Sequence, residues 1–337
     1  MGIKLAYCID SSAHVALKHF AKELDVKYAV ANTSAKSYYK SRYSPYSNDW
    51  DYIPMSAVKR DLADFGMEWS VYEGVTFMDG AKLGTEDRDI QIEHFCTLLK
   101  NMSKLGIKTV CYNWMPVYEW FRTRINMPLA GDAVSTGFYS EDLEGAVDSG
   151  ITVSKDQLWT NLEYFLKKVV PVAEKYKVQL AIHPDDPPVD HIAGVERILT
   201  SADAMEQVTK LVPSEYNGIT LCQGTFAAMG EDIPTCIRRF SANKTLFFAH
   251  FRDIVGTKDG FQETFHHNGM TDMYKAMKTY YECGFDGVVR PDHVPTMYGD
   301  NNENPAYAIN GNLFATGYMY GLMEAVENEL RNGGQSV

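Results

Sequence analysis

No run of this 337-residue chain is long and apolar enough to span a bilayer, which argues against a helical membrane protein. No signal-peptide pattern opens it: Met1-Gly2-Ile3-Lys4 leads straight into strand-like sequence, so a secreted product is not expected. Cysteine is scarce. The six residues Cys8, Cys96, Cys111, Cys222, Cys236 and Cys283 form no CxxC pair, which argues against a disulfide framework and for a reduced, cytoplasmic protein. Positive charge is also in short supply, with 32 Lys and Arg against 44 Asp and Glu and a net charge of −12. Such a surface repels nucleic acid and anionic membrane, so neither is an expected partner. Finally, no GxGxxG follows the first apolar run and no GxxxxGK precedes Ser or Thr, so the dinucleotide and P-loop fingerprints are missing. Short-period repeats and low-complexity tracts are missing too.

What is present is a regular alternation. Eight short apolar runs recur: IKLAYCI (3–9), VKYAVAN (26–32), MEWSVYEGV (67–75), IKTVCYNW (107–114), QLAIHPDD (179–186), GITLCQG (218–224), TLFFAHFRD (245–253) and GVVRPDH (287–293). Each reads as a strand, and stretches of helical periodicity lie between them. Ser11-Ser12 and Ser154-Lys155-Asp156 read as helix starts, and Gly66 and Gly106 as helix stops. Eight strand-helix units in order predict a (β/α)₈ TIM barrel, one domain over 1–330. Residues 115–153 read as a long irregular insertion after the fourth strand, serving as a lid or a subunit contact. The aromatic-rich stretch 37–52 is a second candidate contact, and 331–337 reads as a flexible tail.

In a barrel of this kind the C-terminal ends of the strands converge. His183, Cys222, His250 and Asp292 end the last four runs. Two imidazoles, a thiolate and a carboxylate meeting at one point make a metal site. Their wide spacing in sequence favours a catalytic cup over a structural zinc site. Softness alone points to Zn²⁺ or Fe²⁺, and the carboxylate admits Mn²⁺.

From about Met67 onward the chain resembles the mannonate dehydratases of the xylose-isomerase-like barrels. The likeness is carried by WSVYEGV, CYNWMPVYEWFRT, AIHPDDPP, GITLCQGTFAAMGEDIPTCIRRF, FFAHFRD, RPDHVPTMYGD and NPAYAINGNL. The resemblance implies the same four ligands and Mn²⁺ as the usual ion. It implies loss of water from a six-carbon sugar acid to give a 2-keto-3-deoxy acid, with His293 and Tyr307 in proton transfer, their acid and base roles left open. Arg122, Arg252 and Arg290 are candidates for holding the substrate carboxylate. Asn113, Trp114, Asp185 with its neighbour Asp186, and His266 are further substrate-side candidates. A homodimer or larger homo-oligomer is expected. The match has gaps: the family's Arg-Trp strand and histidine pair are missing from the first two strands, Gln262 stands where the family has histidine, and Asn312 stands near a family arginine. The chemistry therefore transfers better than the substrate. The alternatives are a sugar isomerase or epimerase of the same barrel group, and a non-catalytic sugar-acid-binding barrel.

Overall fold

The structure, a computed structural model, describes residues 2–9, 15–33, 48–144 and 149–333. The elements alternate as the apolar runs require. Strand β1 (Lys4–Cys8) leads to α1 (Val15–Glu23), β2 (Tyr28–Ala31) to α2 (Tyr52–Asp64), and β3 (Glu68–Glu73) to α3 (Asp79–Leu83) and α4 (Arg88–Leu105). Then β4 (Thr109–Asn113) leads to α5 (Lys155–Tyr176), and β5 (Gln179–His183) to α6 (Ala202–Leu211). In the last part β6 (Asn217–Cys222) leads to α7 (Gln223–Ala228) and α8 (Ile233–Ala242), β7 (Leu246–Phe251) to α9 (Met273–Glu282), and β8 (Val288–Pro291) to α10 (Ile309–Gly333). Neighbouring strands pair in parallel and β8 pairs back onto β1, so the sheet closes as the expected (β/α)₈ barrel.

Local signals account for the element ends. Ser154 Oγ accepts the Gln157 amide at 3.2 Å and starts α5. Gly106 ends α4 with φ of 76°, a left-handed conformation that glycine adopts without a Cβ clash. Helix α10 continues to Gly333, so 331–333 belong to it and not to a tail. The Ser11-Ser12 cap, positions 37–47 of the aromatic-rich stretch, and 334–337 lie outside the described residues.

The period of two along each strand decides what reaches the mouth. Ala6, Val30, Val71, Cys111, Ala181, Phe248 and Val288 form a small cluster that fills the barrel interior. Their sequence neighbours Leu5, Ala29, Tyr72, Val110, Leu180, Ala249 and Val289 face the helices in the larger core. Two residues further along, the inward rows end in Cys8, Asn32, Glu73, Asn113, His183, His250 and Arg290, with Cys222 closing the row of Thr220. Strand register sets these ends side by side: Glu73 pairs with Cys111, Asn113 with His183, Cys222 with His250, and His250 with Arg290.

The segment after β4 differs from its expected irregularity. Strands Arg124–Pro128 and Val134–Tyr139 form a hairpin around Gly131. Their short, partly polar runs hid it. This hairpin pairs with a second one, Ile254–Thr257 and Gly260–Glu263, that follows β7. The two make one four-stranded antiparallel sheet beside the barrel.

Candidate metal centre and active site

The four expected ligands converge. His183 Nε2 lies 3.3 Å from His250 Nδ1, and His250 Nδ1 lies 3.4 Å from Asp292 Oδ2. Cys222 Sγ is 3.8 Å from Asp292 Oδ2, and donor atoms of His183, Cys222 and His250 all lie within 4.8 Å of one another. Two ligands at about 2.1 Å from one ion at a tetrahedral angle would sit ~3.4 Å apart, so these spacings fit a single ion. The site is also primed by its hydrogen bonds. His183 Nδ1 donates to the Pro184 carbonyl at 2.7 Å, which leaves Nε2 as the free lone pair. Cys222 Sγ accepts from Thr225 Oγ1 at 3.2 Å and from Arg252 Nη1 at 3.3 Å. Burial opposes ionisation of the Cys222 thiol, but Arg252 and the two histidines outweigh it and hold its pKa well below the usual value.

Charge gives a second test of fit. Glu73, Asp186, Cys222, Glu263 and Asp292 are each held below their ordinary pKa range. Burial alone would raise them, but neighbouring guanidiniums and histidines win. These five anions face three buried guanidiniums, Arg122, Arg252 and Arg290. Against burial and Arg290, the Glu73 and Asp292 carboxylates also raise the His250 pKa well above its usual value, and the anions still outnumber the cations, as a cation site requires. A thiolate, two imidazoles and a carboxylate are a transition-metal donor set.

The three arginines have partners other than the expected substrate. Arg122 donates to Asp186 at 2.8 and 3.0 Å and to Glu263 at 2.7 and 3.1 Å. Arg252 joins the same two carboxylates at 2.7 to 2.8 Å. Arg290 forks onto Glu73 at 3.0 and 3.1 Å and reaches Asp292 Oδ1 at 2.6 Å. Each guanidinium is thus paired with two carboxylates, and of the three only Arg290 lines the cavity over the cup. Trp114 is corrected outright: one residue past Asn113, it takes the opposite face, is fully buried against Phe165 and donates to the Leu158 carbonyl. Asp185 is turned into the fold, accepting the Ile198 and Leu199 amides at 2.9 and 2.7 Å. His266 Nε2 donates to the Phe251 carbonyl at 2.7 Å, and burial pulls its pKa down to about 4. It does not line the cavity. Asn113 does, with its side-chain oxygen held by the buried Lys82 ammonium at 2.9 Å. Gln262 donates to the Pro128 carbonyl and to Ser135, and Asn312 to the Ala308 carbonyl; both serve the scaffold.

The cavity has a volume of about 180 Å³. That lies below the ~300 Å³ of common ligand pockets and suits a small polar metabolite. His293 and Tyr307 both line it, their rings in edge-to-face contact with centroids 5.6 Å apart. His293 adopts the left-handed conformation, φ 45°, an uncommon one for a residue with a Cβ. Its Nδ1 lies 3.0 Å from Glu263 Oε1 and its Nε2 lies 3.7 Å from Asp292 Oδ1. Burial, helped by Asp292, raises the Tyr307 pKa well above the usual value, so its phenol keeps its proton. Sequence reading missed Glu73, Lys82, Cys111, Trp120 and Glu263. Trp120 lines the cavity 5.1 Å from the His293 ring. Glu73 and Cys111 lie on the inward rows, so tracing the alternation along β3 and β4 would have found them.

Fold and site together define a (β/α)₈ barrel with a cluster of side chains that could hold a metal ion at the C-terminal mouth of its strands. The sequence model of the D-mannonate dehydratase (UxuA) family matches residues 25–150 and 139–333. A mannonate dehydratase of Streptococcus agalactiae is 34% identical over 84% of this chain and 88% of its own length. One from Thermotoga maritima is 32% identical with the same shares covered. The crystal structure of the Streptococcus suis serotype 2 mannonate dehydratase superposes with a TM-score of 0.89 at 30% identity, covering 100% of this chain and 96% of that one. A D-tagatose 3-epimerase-like protein, at 14% identity and a TM-score of 0.65, shares the fold. The chain belongs to the D-mannonate dehydratase family, a family of hydro-lyases.

Proposed function

We propose that the cup of His183, Cys222, His250 and Asp292 holds one divalent ion, manganese by resemblance, and that the protein dehydrates D-mannonate or a closely related hexonate to the 2-keto-3-deoxy acid. The observation that carries this reading is the convergence of the four donors beside the contacting pair His293 and Tyr307. The ion, when bound, supplies a Lewis acid that polarises the substrate carboxylate and makes the C2 proton removable. Charged Glu263 accepts the hydrogen bond from His293 Nδ1–H, which leaves Nε2 as the ring nitrogen to serve as the base for C2–H. The Tyr307 phenol, kept protonated by its surroundings, donates to the C3 hydroxyl as it leaves. The sequence left this division of roles open, and the local environments of the two groups support it.

The pairing of the arginines has a consequence for binding. Among the described residues, no arginine at the mouth lacks a carboxylate partner, so an ion held by the four donors would supply the positive charge that the substrate carboxylate needs. No helix among the described residues is long and apolar enough to cross a membrane. A cytoplasmic homo-oligomer completes the proposal, and light scattering on the purified protein tests its assembly.

The decisive experiment incubates a panel of hexonates with chelator-stripped protein reloaded with Mn²⁺, Fe²⁺ or Zn²⁺ and assays 2-keto-3-deoxy products. Turnover of mannonate that disappears on chelation and returns with one ion is the expected result. Turnover that survives chelation overturns the metal mechanism. Failure to turn over any hexonate, with interconversion of free ketoses instead, moves the assignment to an epimerase.

A further inference from the structure

We propose that Glu73, at the end of β3, is a positioning residue that fixes two metal ligands at once, His250 directly and Asp292 through Arg290; this rests on the metal reading above. His250 directs Nδ1 at His183 Nε2 and Asp292 Oδ2, so Nε2 points the opposite way. There it meets Glu73 Oε1 at 3.0 Å, close but not aligned as a hydrogen bond, and it has no other partner among the described residues. A neutral imidazole that ligates through Nδ1 carries its proton on Nε2. A buried N–H needs an acceptor, and Glu73 is the acceptor within reach. The same carboxylate accepts the Nε and Nη2 fork of Arg290 at 3.0 and 3.1 Å. Arg290 Nη1 then holds Asp292 Oδ1 at 2.6 Å, which leaves Oδ2 turned toward His250 and Cys222. One carboxylate on β3 therefore sets the orientation of ligands on β7 and just past β8.

Glu73, Cys111 and His250 also bring donor atoms within 4.8 Å of one another, as a second ion would require. The surroundings argue for one ion. Both Glu73 oxygens already accept from Arg290, whose guanidinium supplies the positive charge at that point. The Cys111 thiol is directed to Glu73 over 3.6 Å, while Thr220 Oγ1 donates to its sulfur at 3.2 Å.

The test compares metal-stripped wild type, Glu73→Gln, Glu73→Ala and Cys111→Ser. Equilibrium dialysis with elemental analysis gives Mn²⁺ stoichiometry and affinity, and the Co²⁺-loaded proteins give visible spectra. Wild type and Cys111→Ser are expected to bind one ion equally well. Removing an outer partner of a metal-bound histidine costs ~10–100-fold in affinity, so Glu73→Gln should fall near the lower figure and Glu73→Ala near the upper. The Co²⁺ spectrum of Glu73→Ala should change, which a purely structural role would not produce. Circular dichroism controls for folding, and if Glu73→Ala fails that control the isosteric Glu73→Gln carries the test. Affinity within about twofold of wild type in both Glu73 variants overturns the proposal. Two ions in wild type with one lost in Cys111→Ser replaces it with a second metal site. No ion in wild type sinks the metal reading itself.

Discussion

Replacing Glu263 by glutamine removes the charge on which three buried cationic or proton-donating groups converge. Its carboxylate accepts from Arg122 at 2.7 and 3.1 Å, from Arg252 at 2.8 Å on each oxygen, and from His293 Nδ1 at 3.0 Å, at 1% side-chain exposure. Burial opposes the charge, yet Arg252, His293 and Arg122 lower the Glu263 pKa from 4.5 to about 2. A displacement of that size, at about 1.4 kcal/mol per pH unit, corresponds to about 3 kcal/mol of folding stability. The folded-state pKa lies below the unfolded one, so this stability is fully present above about pH 4.5 and is lost as the pH falls toward about 2. It also falls within the ~3–5 kcal/mol typical of removing one partner from a buried ion pair. Urea unfolding of metal-free wild type and Glu263→Gln, run from pH 7 to pH 2.5, reads the difference directly. We expect about 3 kcal/mol near neutrality, shrinking steadily below pH 4.5. A gap that stays constant with pH, or one below about 1 kcal/mol at pH 7, would show that the network does not depend on this charge.

Cys222→Ala should leave the barrel folded but abolish tight Mn²⁺ binding and with it hexonate turnover, as dialysis and the keto-acid assay will report. His293→Asn and Tyr307→Phe should each lower kcat by roughly 10²–10⁴-fold at unchanged metal content, the range for losing a general acid or base. Equal effects on metal content and kcat would instead make them part of the ligand shell. Trp114→Ala should cost ~3–5 kcal/mol of stability through loss of a large core side chain while KM stays put, and a raised KM without destabilisation would restore it to the substrate site.

The barrel was legible because its strands are short, apolar and β-branched, and because eight recurrences close one known way. The convergence of His183, Cys222, His250 and Asp292 was legible for a related reason: all four stand where apolar strands give way to chemistry. Glu73 stands in the same place on β3, yet an acidic residue at a strand end reads as a polar boundary until the inward row is traced from Val71. Trp114 went wrong for the converse reason, since proximity to the mouth was weighed above the alternation that turns it from Asn113 into the core. The arginines expose a deeper limit. Sequence gives a guanidinium's position but not its partner, and Asp186 and Glu263, 77 positions apart, jointly bind both Arg122 and Arg252. The hairpin at 124–139 escaped because its partner strand, Gly260–Glu263, lies more than a hundred residues downstream.

That partnership makes the loops after β4 and β7 a single heritable unit. Phe138 registers against Phe261, and Arg122 on one loop grips Glu263 on the other, directly behind His293. Grafting either loop alone from a relative would strip a neighbour of its ladder and leave a buried charge without its counterpart. Retuning which sugar acid this barrel accepts, whether by selection or in the laboratory, therefore calls for exchanging both loops together.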